Sequence, residues 1–127
     1  MTRALIVLAL ALALVACAPP SEGDADPRRP ITVALLEQPA RVGPAVVEVR
    51  PQFDGAAVSG AAVRVVGDMT HAGMVPVVAD ATDVGSGVYR TDDFLFDMAG
   101  DWVLSVDVTY PDGTVRTTAL TGSVSGR

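Results

Sequence analysis

Met69, His71 and Met74 are the residues in this sequence best suited to chemistry, and that chemistry is soft-metal coordination. They fall within Gly67–Met74, read GDMTHAGM, and His71 is the single histidine of the chain. Thioether sulfur is neutral and soft and selects Cu(I) over zinc, calcium or magnesium, while imidazole suits both copper states. If extended backbone persists to residue 71, Met69 and His71 stand two apart and share a side. Gly73 lets the chain bend so that Met74 swings back. Three such donors make a trigonal set open to exchange, as a carrier needs, and Met98 is a fourth if the turn before Trp102 lies nearby. The spacing is not that of structural zinc, which takes four ligands from Cys and His. Against this stands a blander expectation. Methionine fills irregular core gaps, and a lone histidine in a turn commonly does nothing.

Other chemistry finds less support. Asp80, Asp83, Asp92, Asp93, Asp97 and Asp101 form an acidic group. Calcium takes about six to eight oxygens, but no EF-hand spacing occurs, so a solvated acidic face is expected. Asp92 and Asp93 are adjacent and on a strand would face opposite sides. No Gly-x-Ser-x-Gly elbow is present; Ser59-Gly60 and Gly85-Ser86-Gly87 read as turns. No phosphate-cradling glycine loop opens a helix. The expectation is a binding module and not an enzyme.

The elements that must position these donors come next. At 127 residues the chain fits one domain. After Met1-Thr2-Arg3, Ala4–Ala16 is apolar and uncharged. It is too short to span a bilayer and suits a secretory signal. Leu14-Val15-Ala16-Cys17 resembles the lipobox of bacterial lipoproteins. That implies a signal peptide over 1–16, cleavage before Cys17, and diacylglycerol on the Cys17 sulfur, with acyl chains anchoring the protein to a membrane. Ala18 in place of aspartate resembles the Gram-negative outer-membrane pattern, so the expected location is extracytoplasmic, on the periplasmic side. Cys17 is the one cysteine, so no disulfide or thiolate metal site is expected in the domain. Nine basic residues, all arginine, face fifteen acidic ones, a net charge of −6. That balance argues against nucleic acid, which needs a cationic face.

Residues 17–30 hold Pro, Ser, Glu, Gly, Asp and Arg with nothing large and apolar, and read as a disordered tether. From 31 to 127 the pattern is that of a domain. Short β-rich runs recur at Ile31–Leu36, Pro44–Pro51, Ala61–Met69, Val77–Val84, Tyr89–Phe96, Trp102–Tyr110 and Val115–Val124. In the sixth, Trp102, Leu104, Val106 and Val108 alternate with Val103, Ser105, Asp107 and Thr109. Asp54-Gly55 and Pro111-Asp112-Gly113 are turn signals. About seven strands spaced by turns predict an all-β, immunoglobulin-like antiparallel β-sandwich. Trp102 and Tyr89 at strand starts read as core.

Three pieces of the sequence together resemble a known family. They are the Met69/His71/Met74 turn, Gly87-Val88-Tyr89-Arg90, and Met98-Ala99-Gly100-Asp101-Trp102-Val103-Leu104. They resemble the YtkA-like domain, which is related to FixH proteins, over roughly Thr32–Val124. The resemblance implies an extracytoplasmic immunoglobulin-like sandwich. FixH proteins are associated with assembly of copper-containing haem oxidases, and relatives occur near copper-handling genes. This sequence differs from FixH in carrying a lipobox and no transmembrane helix. The leading expectation is a lipid-anchored sandwich that holds or hands on copper, as Cu(I), through Met69, His71 and Met74. The alternative is a metal-free interaction module that docks on another envelope protein.

Overall fold

The computed structural model describes residues 26–71 and 73–126. The signal peptide, Cys17 and the tether up to residue 25 lie outside the described residues. Among the described residues there are ten strands: β1 (Ile31–Leu35), β2 (Gly43–Ala45), β3 (Val47–Phe53), β4 (Ala56–Ala57), β5 (Ala62–Met69), β6 (Val77–Gly85), β7 (Val88–Thr91), β8 (Phe94–Phe96), β9 (Gly100–Thr109) and β10 (Val115–Val124). No helix among the described residues is long and apolar enough to cross a membrane. The chain is the all-β antiparallel sandwich that its alternating runs predict.

Each of the seven predicted runs contains a strand, and two of them are cut in half. The run Pro44–Pro51 divides at Val46, and Tyr89–Phe96 divides at Asp92-Asp93. Both cuts mark a change of sheet. The halves β2 and β8 pair with each other, while β3 and β7 join the large sheet, ordered β1-β3-β7-β6-β5-β9-β10 with β4 beside β3. Strands that switch sheets make the corners of such sandwiches. The corner is stitched by Thr91, whose buried hydroxyl accepts the Val47 N–H at 2.9 Å, and by the Val46 carbonyl, which accepts the Leu36 N–H at 3.1 Å. At the far edge, Ser125 pairs with the segment before β2. Its N–H donates to the Ala40 carbonyl and its carbonyl accepts the Val42 N–H, both at 3.0 Å, leaving the sandwich nearly closed.

The core follows from period-2 burial. Trp102, Leu104, Val106 and Val108 of β9 all point inward, as do Val63 and Val65 of β5 and Val47 and Val49 of β3. Phe94, Phe96 and Trp102 form an edge-to-face chain with centroids 5.1 Å apart at each step. Such pairs add about 0.5–1.5 kcal/mol each beyond area burial. Tyr89 is equally buried, and its hydroxyl donates to the Val58 carbonyl at 2.8 Å.

Two features escape the alternation rule. Glu48 faces outward yet is buried, because Arg50 from its own strand and Arg90 from β7 close over it at 2.7 and 2.9 Å. Those hydrogen bonds, Arg50 first and then Arg90, hold its carboxyl below the usual glutamate range. The second feature lies before β1. Within the stretch 17–30 read as tether, residues 26–30 are described and lie against the domain. Arg28 pairs with Asp54 at 2.7 Å. Arg29 pairs with Asp112 at 2.7 Å, its guanidinium lying over the rings of Phe53 and Tyr110 at 4.2 and 4.6 Å.

Candidate metal centre

Strand β5 carries Met69, the first of the three residues the sequence singled out. Its inward positions are Val63, Val65, Gly67 and Met69, and Met69 is its last residue. The ladder to β9 runs one residue further, for the Thr70 N–H donates to the Asp101 carbonyl at 3.1 Å. Extended pairing therefore reaches Thr70, and His71 follows in a bend, exposed to solvent. Met74 comes before β6 and is half-buried. The two methionines both pack against the core, and His71 is exposed. Val75, directly after Met74, is 85% exposed.

What draws Met69 into place is a glycine on the neighbouring strand. Met69 is registered opposite Trp102. Its terminal methyl occupies the space that a Cβ would fill at Gly100. Gly100 also has φ of +139°, a conformation that disfavours any side chain. A second glycine makes room beneath. A Cβ at Gly67 would come within 2.7 Å of the Phe94 ring and 3.2 Å of the Trp102 ring. The Trp102 indole N–H donates to the Met98 carbonyl at 3.0 Å, pinning the bend that precedes β9.

These contacts give the Met-Ala-Gly-x-Trp piece a physical meaning. Tryptophan locks the backbone of the methionine four residues earlier, and the glycine between them is the seat of Met69. Sequence reasoning did not foresee this role for Gly100. The signal was present as an unexplained glycine beside an aromatic strand start, but the register that brings Met69 to it is a long-range fact. Met98 lies two residues before Gly100, the seat of Met69, in the bend that leads into β9.

The field around this end is negative. Asp68 lies near the end of β5, Asp97 before β9 and Asp101 near its start, and all three are exposed. Carboxylates at such a rim favour approach of a cation. Elsewhere the aspartates are engaged as in a solvated face. Asp80 pairs with Arg64 at 2.8 Å, whose hydrogen bond and charge hold its carboxyl below the ordinary range. Asp83 accepts the Gly85 N–H at 2.8 Å, while at the rim itself Asp101 accepts the Ser123 hydroxyl at 2.6 Å. Among the described residues, no three His, Cys, Asp or Glu side chains gather as a metal site. Any site here therefore depends on thioether sulfur. A cavity of about 140 Å³ between the ends of β1 and β10 is walled by Leu35, Phe96, Trp102, Leu104, Leu120 and Val124 and offers a metal nothing.

A family profile described as YtkA-like matches residues 26–107. No curated protein matches this chain. Among solved structures, the crystal structure of CopC from Methylosinus trichosporium OB3b aligns with a TM-score of 0.46 and 17% identity, covering 76% of this chain and 96% of that one.

Proposed function

The chain belongs to the YtkA-like family, and from that premise we propose that it is an extracytoplasmic copper carrier which takes Cu(I) at Met69, His71 and Met74. One observation carries the reading. The single histidine and two methionines fall at the end of β5 and in the connection that follows it, and the Met69 methyl is seated on Gly100 of the neighbouring strand. Neutral sulfur and imidazole suit Cu(I) and leave zinc, calcium and magnesium poorly served. Holding and release, rather than catalysis, fit a shallow site at the surface. Lipid anchoring through Cys17, on the periplasmic side, would keep the carrier near a membrane-bound acceptor such as an oxidase under assembly.

A second reading, a metal-free docking module of the envelope, draws on the packing of Met69 and Met74 against the core and on the exposure of Val75 and Met98. Titration of the full chain in detergent with Cu(I), against a competing chelator, separates the two. Copper carriage requires tight binding by the wild type and weaker binding by Met69→Leu and His71→Ala. Equal binding by all three removes the site, and no binding at all favours the docking module.

A further inference from the structure

Resting on the copper reading above, we infer that Met98 is the fourth donor of the site, so that the metal bridges two separate loops through three thioethers and one imidazole. Among the described residues the methionines are Met69, Met74 and Met98, and the structure gathers every one of them at the same end of the sandwich as His71. Met69 and Met98 approach that end from different strands. The methyl of Met69 rests on Gly100, and Met98 is two residues upstream of the same glycine.

The backbone of Met98 is fixed while its side chain is left unused. Its carbonyl accepts the Trp102 indole N–H at 3.0 Å. Its side chain is 46% exposed and does not join the core, in contrast to Met69 and Met74. A large apolar side chain held at the surface on a pinned backbone loses little by turning to a ligand. The indole bond also removes much of the backbone disorder that a donor on a free loop would have to give up on binding.

The chemistry favours the same assignment. Four neutral donors leave a bound Cu(I) with its single positive charge, so the site needs no buried anion beside it. Asp68, Asp97 and Asp101 remain solvated at the rim and act only at long range. A third sulfur deepens the preference for Cu(I) over Cu(II). Joining the β5–β6 connection to the bend before β9 also makes release a matter of one loop moving from the other.

X-ray absorption at the copper edge, on the Cu(I)-loaded full chain in detergent, counts the sulfur neighbours directly. The expected count is three sulfurs for the wild type and two for Met98→Leu. Competitive titration should show Met98→Leu binding Cu(I) more weakly by on the order of 10- to 100-fold, the loss seen when a supporting group of a metal site is removed. Leucine conserves volume and the Trp102–Met98 bond is made by backbone, so unchanged Trp102 emission certifies the fold of the variant. If the wild type binds and Met98→Leu matches it in affinity and sulfur count, Met98 is not a ligand while the three-donor proposal stands. If the wild type binds no Cu(I), both fall.

Discussion

Replacing Gly100 by alanine tests the seat beneath Met69. Two costs follow from the geometry. The backbone at φ +139° disfavours a side chain, at about 1–2 kcal/mol. The new methyl would also occupy the place held by the Met69 methyl, and crowding of this kind costs about 1–3 kcal/mol. The sum, about 2–5 kcal/mol, should lower Tm by roughly 10–30 °C for a domain of this size. Urea unfolding followed by Trp102, the single tryptophan, reports it directly. The decisive measurement is the same substitution made in a Met69→Ala background. There the clash is gone and the backbone cost alone remains, so the two changes should couple by the crowding cost, about 1–3 kcal/mol. Equal costs in the two backgrounds would refute the seat, and with it the argument that Met69 is positioned by Gly100. In the wild-type background Gly100→Ala should also weaken Cu(I) binding, because the first donor is displaced.

Two further outcomes follow from the ion pairs. Glu48→Gln leaves Arg50 and Arg90 facing a neutral amide and should destabilise by about 1–3 kcal/mol at pH 7, a buried-pair cost discounted for two half-exposed arginines. The Glu48 carboxyl is depressed in the folded state by its hydrogen bonds to Arg50 and Arg90. Its contribution is therefore complete above the ordinary glutamate value and is lost as pH falls through the depressed one. Urea midpoints at neutral and acid pH should consequently converge between wild type and variant; a constant gap down to the acid limit contradicts the arrangement. Asp112 should titrate at about 2 by NMR, held there first by the Arg29 hydrogen bond and then by its bonds to Thr114. In Arg29→Gln it should move up toward the ordinary aspartate range, and an unmoved value would mean that Arg29 does not hold it.

The parts of the fold governed by local alternation were legible in the sequence. Trp102, Leu104, Val106 and Val108 announce a half-buried strand because every second side chain is apolar and the rest tolerate water. The sheet switches at Val46 and at Asp92-Asp93 were not legible. The apolar pattern runs through them, and the partner that captures each half lies far away in the chain. Nothing local marks Glu48 for burial, which comes in part from Arg90, brought over it by pairing with β7. At the candidate centre the donor types could be read from the sequence, but the same-side relation of Met69 and His71 required a strand reaching residue 71, and the strand ends at Met69 with His71 in a bend. The support under Met69 was not legible either, since Gly100 becomes a neighbour only through the β5–β9 register. Arg28 and Arg29 were read as tether because charged residues before a first strand ordinarily are; their partners, Asp54 and Asp112, belong to distant turns.

That clamp settles which way the molecule faces. Strand β9 starts beside Met69 and finishes next to Tyr110, over whose ring Arg29 lies. Ten residues of extended chain separate these points, roughly 30 Å. Anything that moors the protein by its N-terminus therefore grips the pole remote from the methionines. A tug on that leash is borne by guanidinium, ring and carboxylate at the near pole and spares the loops at the other. A mooring at the near pole would leave the loops that carry Met69, Met74 and Met98 on the side away from it.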